Sequence, residues 1–78
     1  MPIEDLGGWG IAVSTERLGG GRPLIVIYAV AFTDEAEARR QVTMQGHVLP
    51  GDEITNAHPL SKTTIQMLKL DAGDVALL

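Results

Sequence analysis

Both histidines of the chain, His47 and His58, fall between Gly46 and Pro59 together with the carboxylates of Asp52 and Glu53. Imidazole and carboxylate are the side chains that ligate divalent metals and move protons near neutral pH, so GHVLPGDEITNAHP is the first place to look for chemistry. The spacing argues against a metal. If Glu53 to Ala57 is a strand rising about 3.3 Å per residue, Asp52 and His58 stand roughly 20 Å apart, too far to share one ion. His47 lies before the Pro50-Gly51 turn and within reach of Asp52 or Glu53. Two or three mixed ligands in one loop do not make a closed tetrahedral set. The alternation that buries Ile54 places His58 on the same side, and Pro59 then leads the chain out of the strand, so His58 reads as a partly exposed loop histidine. Both imidazoles are also compatible with a pH-sensitive interface.

The other suggestive stretches have simpler readings. GGGRP, Gly19 to Pro23, lacks the Lys-Ser/Thr of a phosphate loop and precedes a strand where a helix would be needed; it reads as a hairpin tip. Gly7-Gly8-Trp9-Gly10 has no strand before it and no helix after it, which excludes a dinucleotide fingerprint. Arg39 and Arg40 share their segment with Asp34, Glu35 and Glu37, the pattern of a solvated charged face. Ser14 and Ser61 sit in no nucleophile elbow, and the chain has no cysteine. The sequence therefore nominates no catalytic, cofactor-binding or metal-ligating residue, implies no cofactor, and does not point to an enzyme.

Composition narrows the class. A chain of 78 residues makes one small domain, with residues 1–7 expected to be loosely ordered, and it buries only about 60 to 65% of its unfolded surface. With 45% hydrophobic and 21% charged residues it is apolar enough to collapse. The longest apolar run, Leu24 to Phe32, is nine residues, against the roughly 20 of a membrane helix, and the acidic start MPIEDLGG does not resemble a signal peptide. No membrane partner and a cytoplasmic location are expected. A net charge of -4 opposes the counterion release that drives nucleic-acid binding.

The elements that position these residues follow from periodicity and breakers. Gly8 to Arg17 alternates, with Trp9, Ile11 and Val13 on one face. Leu24 to Phe32 is apolar on both faces and should be the central strand. Thr33 or Asp34 caps a helix running to about Gln45, with Asp34 and Glu37 at capping-box spacing and Gly46 as its stop. Glu53 to Ala57 makes a third strand. Ser61 caps a second helix in which Ile65 and Leu68 face the core, and Val75 to Leu78 closes the order as a fourth strand. The phrases LPGDEI, Leu49 to Ile54, and LDAGDV, Leu70 to Val75, echo one another as helix-to-strand connections. LKLDAGDVALL is also similar to the leucine-glycine-aspartate-valine phrase of small β-rich domains, AbrB-type swapped-hairpin DNA-binding proteins among them. The basic strand face of those DNA binders has no counterpart in WGIAVSTER or LIVIYAVAF, and the family is not assigned.

The expected fold is an α/β (α+β) two-layer sandwich of about four strands in a mixed sheet with two helices, in the order ββαβαβ. Two short helices on one side shelter one face of the sheet. Because Ala29 and Ala31 suit close approach of helices, the large residues Trp9, Ile11, Val13, Val26, Tyr28, Val30 and Phe32 are expected on the other side as an interface. Burying about 600 Å² per subunit would contribute about 15 kcal/mol before association costs. A homodimer acting as an interaction or regulatory module follows. The alternatives are that Met1 to Leu6 folds back over the patch, that the sheet curls into a barrel, or that a small-molecule site forms between subunits from Tyr28, Arg39, His47 or His58. The identity of any small-molecule ligand is left open.

Overall fold

Strand β1 (Leu6–Thr15) pairs antiparallel with β2 (Leu24–Val30), in a register that sets Trp9 opposite Val30, Ile11 opposite Tyr28 and Val13 opposite Val26. The computed structural model describes residues 5 to 78. Leu6 and Gly7 belong to β1, and the expectation of loose order elsewhere in residues 1–7 lies in part outside the described residues. On the far side of β1 runs β3 (Glu53–Ser61), and on the far side of β2 runs β4 (Val75–Leu77), giving the sheet order β3-β1-β2-β4. Helices α1 (Glu35–Met44) and α2 (Lys62–Met67) complete a compact α+β fold in the expected order ββαβαβ. The sheet is antiparallel in every pairing and not mixed. Each helix returns the chain to an edge of the hairpin, where it enters against its neighbour.

Helix α1 begins where the acidic first turn predicts. Asp34 caps it by accepting from the Ala36 amide at 3.2 Å. The reciprocal half of a capping box is not made, because Glu37 gives both carboxylate oxygens to Arg40. At the other end Gly46, at φ 85°, takes the left-handed position of a Schellman motif: His47 N–H bonds Val42 O and Gly46 N–H bonds Thr43 O. Helix α2 starts at Ser61, whose hydroxyl accepts from the Thr64 amide at 3.1 Å. It ends in the same motif, with Leu70 N–H on Ile65 O, but here Lys69 holds the left-handed position at φ 57°. The helix is therefore short, and Leu68 is exposed at its end, not in the core as expected.

One face of the sheet, here the inner face, packs on α1. Ile11, Val13 and Val30 meet Ala38 and Val42 there in a fully buried cluster. Each of the three strand residues contributes roughly 1.5 to 3 kcal/mol by leaving water. Helix α2 instead packs at the end of the sheet where β1 begins. A Cβ on Gly7 would lie 2.7 Å from Lys62 Cα, and one on Gly8 would lie 2.9 Å from Ile65 Cδ1 and 2.1 Å from Val30 O. Only glycine allows that approach.

Strand β3 continues through His58 and Pro59 to Ser61, longer than the expected Glu53 to Ala57. Pro59 is tolerated because β3 is an edge strand and pairs on one side alone. A bulge at Thr55 changes the phase within it: Ile54 lies opposite Val13, but Asn56 lies opposite Ala12.

Candidate functional site

The Gly46 to Pro59 stretch builds a structural anchor. Asp52 N–H bonds Leu49 O at 2.9 Å while the Asp52 carboxylate accepts from Leu49 N–H at 3.1 Å, closing a tight turn with Gly51 at φ 93°. The same box recurs in the second echo, where Asp74 N–H bonds Asp71 O at 3.0 Å and its carboxylate accepts from Asp71 N–H at 2.8 Å, with Gly73 at φ 91°. Each aspartate thus bonds the amide three residues before it. In the first turn Arg17 at the end of β1 also reaches Asp52, at 3.2 Å, and only 3% of the Asp52 side chain is exposed. The Thr15 hydroxyl facing it, the Leu49 amide and the Arg17 guanidinium hold the Asp52 carboxyl below its ordinary range, against the opposing effect of burial. Thr15 Oγ1 is buried and, its approach to Asp52 apart, has no hydrogen-bond partner among the described residues.

The histidines part company. His47 stacks on Tyr28 with ring centroids 4.5 Å apart and an interplanar angle of 33°. His58, carried past the Thr55 bulge, stands exposed in β3 opposite Gly10, on the face away from Ile54 and not on the same side as expected. No three histidines and carboxylates come together to hold a metal among the described residues. Arg39 pairs with Glu35 at 3.1 Å and Arg40 with Glu37 at 2.7 Å. The Arg40 hydrogen bonds hold Glu37 below its ordinary range, and Glu37 raises Arg40 in turn. Of the residues proposed to converge between subunits, only Tyr28 and His47 meet.

The seven residues expected to form an interface lie on the inner face beneath α1. Ile11, Val13 and Val30 are fully buried there, with Trp9, Val26, Tyr28 and Phe32 packed against them. The size argument failed because the small partner at this contact is Ala38 of the helix, which lets α1 settle onto large strand residues. Trp9 also ties the face to the following loop, donating from Nε1 to Thr33 O at 2.8 Å.

The face that the register leaves opposite is the candidate site. Gly10, Ala12, Ile25, Ile27, Ala29, Leu60 and Ala76 all point to it by strand alternation. Along its middle the residues are small and buried: a Cβ on Gly10 would lie 3.5 Å from Ile27 Cγ2 and 3.7 Å from Leu60 Cδ2, so those two side chains lean over the trough. Toward the hairpin, Ile25 is 52% exposed. Beside it Leu78, 55% exposed, extends the β4 ladder through its amide to Ile27 O. Ser14, Glu53, Asn56 and His58 supply a polar margin on the β1 and β3 side. The arrangement can bury apolar area against another surface, and it presents no paired acid and base. The two-sided apolarity of β2 signalled such a face in the sequence. What was missing was which side α1 takes.

The chain matches no protein-family model, no curated protein and no solved structure.

Proposed function

We propose that this chain is an association module that pairs with a second copy of itself through the outer face of its sheet and performs no chemistry of its own. The observation that carries the reading is the position of Ile25, Ile27, Leu60 and Leu78 on a sheet face that α1 does not cover. A core whose largest fully buried side chains are Ile11, Val13, Val30, Val42 and Thr15 is small, and an apolar partner surface adds to it. A two-fold pairing lets one face serve both subunits. None of the described helices is long and apolar enough to cross a membrane.

A dilution series followed by amide NMR tests the reading. Shifts of Ile25, Ile27, Leu60 and Ala76 should move together with concentration while those of Ala38 and Val42 stay fixed. Concentration-independent spectra together with the tumbling time of a single chain would remove the proposal.

A further inference from the structure

A separate groove opens at the other end of the sheet, between the start of β1, the end of β2 and α2. It is open to one side and offers about 540 Å³, within the range of small-molecule sites. Leu6, Ala31, Phe32 and Ile65 give it apolar walls, and Lys62 and Gln66 stand on the α2 side. Among the described residues, none of the ten that line it is acidic. Among the described residues that line it, Lys62 is the one that carries a charge. The construction is one-sided: apolar surface for a body, a cation and a carboxamide for a head.

We propose that this groove binds a small amphipathic anion, a molecule with an apolar tail or ring and one carboxylate. The body lies along Phe32 and Ile65, and the carboxylate meets Lys62 Nζ with Gln66 as a second donor. A neutral apolar molecule would leave Lys62 unused, and a cation would face it directly. The site is formed by one chain and uses none of the outer-face residues Ile25, Ile27, Leu60 and Leu78, so it stands or falls separately from self-association.

Octanoate is the probe. Titrated into the isotope-labelled full chain, it should give saturable amide shifts centred on Leu6, Phe32, Ile65 and Gln66. Octylammonium, with the same tail and the opposite charge, should bind at least about fivefold more weakly. Lys62→Gln should weaken octanoate by about fivefold, and Gln66→Glu, which places an acid in the lining, by more. Arg22→Gln at the hairpin tip should leave octanoate binding unchanged. Lys62 and Gln66 are exposed, so both substitutions should leave the circular dichroism spectrum intact. The comparison of the two probes on the unaltered chain needs no substitution. The proposal is overturned if shifts do not saturate, if they centre on Ile25 and Ile27, if the two probes bind equally, or if Arg22→Gln weakens octanoate as much as Lys62→Gln.

Discussion

Val30 and Ile25 lie on the same strand, yet the structure gives them opposite duties, and truncating each to alanine separates the two. Val30 is 0% exposed and sits in the cluster with Ile11, Val13, Ala38 and Val42. Removing its two methyl groups forfeits about 1.6 kcal/mol of transfer free energy at ~0.8 per carbon, and the cavity left under α1 raises the loss to about 2 to 3 kcal/mol. A domain of this length has a total stability of about 4 to 12 kcal/mol, so Val30→Ala removes a large part of it. With a urea dependence of about 1 kcal/mol per molar, the unfolding midpoint should fall by roughly 2 M or more. Ile25 already exposes half its surface, so Ile25→Ala should cost about 1 kcal/mol or less, measured at a concentration low enough to keep any pair apart. Equal losses, or a larger loss at Ile25, would refute the assignment of inner and outer faces.

The other predictions concern turns, the buried carboxylate and one close contact. Gly46→Ala, forcing a side chain into the left-handed end of α1, should cost about 1 kcal/mol, whereas Lys69→Gly at the matching end of α2 should gain up to about 1 kcal/mol; thermal melts of the two variants should shift in opposite directions. The Asp52 carboxyl is held below its ordinary value of 3.8, so the stability it contributes is fully present above that value and is lost as pH falls through it toward the folded value. Asp52→Asn should therefore flatten this acid limb in urea unfolding, and Thr15→Val should move the Asp52 titration seen by carboxyl NMR upward; an unmoved titration would show that Thr15 does not act on it. Gly8→Ala should prevent native folding or cost more than about 3 kcal/mol, because the added carbon has no room between Val30 O and Ile65; a native melting temperature would contradict that packing.

Local chemistry was legible in the sequence and the choice of face was not. Asp34, Ser61 and Gly46 marked helix ends because a cap is a matter of two or three adjacent residues. The LPGDEI and LDAGDV echo likewise returned as two turns with the same hydrogen-bond pattern, since glycine at the left-handed position and aspartate one residue later are a local arrangement. The side of β2 that α1 would take depends on Ala38 and Val42 gathering with Ile11 and Val13, which lie more than twenty residues away along the chain. His58 was placed on the wrong side because one bulged residue, Thr55, reverses every later position of a period-two strand. Pro59 looked like a strand end because its missing N–H is harmful only between two neighbours, and β3 has just one.

The central claim is that the uncovered face of the sheet joins two copies of the chain, and the solution mass of the unaltered protein beside Ile27→Glu tests it most directly. Light scattering at micromolar concentration should return the mass of two chains for the former and of one chain for the latter, with the same circular dichroism for both. A single-chain mass for the unaltered protein, or a two-chain mass that survives a carboxylate at position 27, would contradict it.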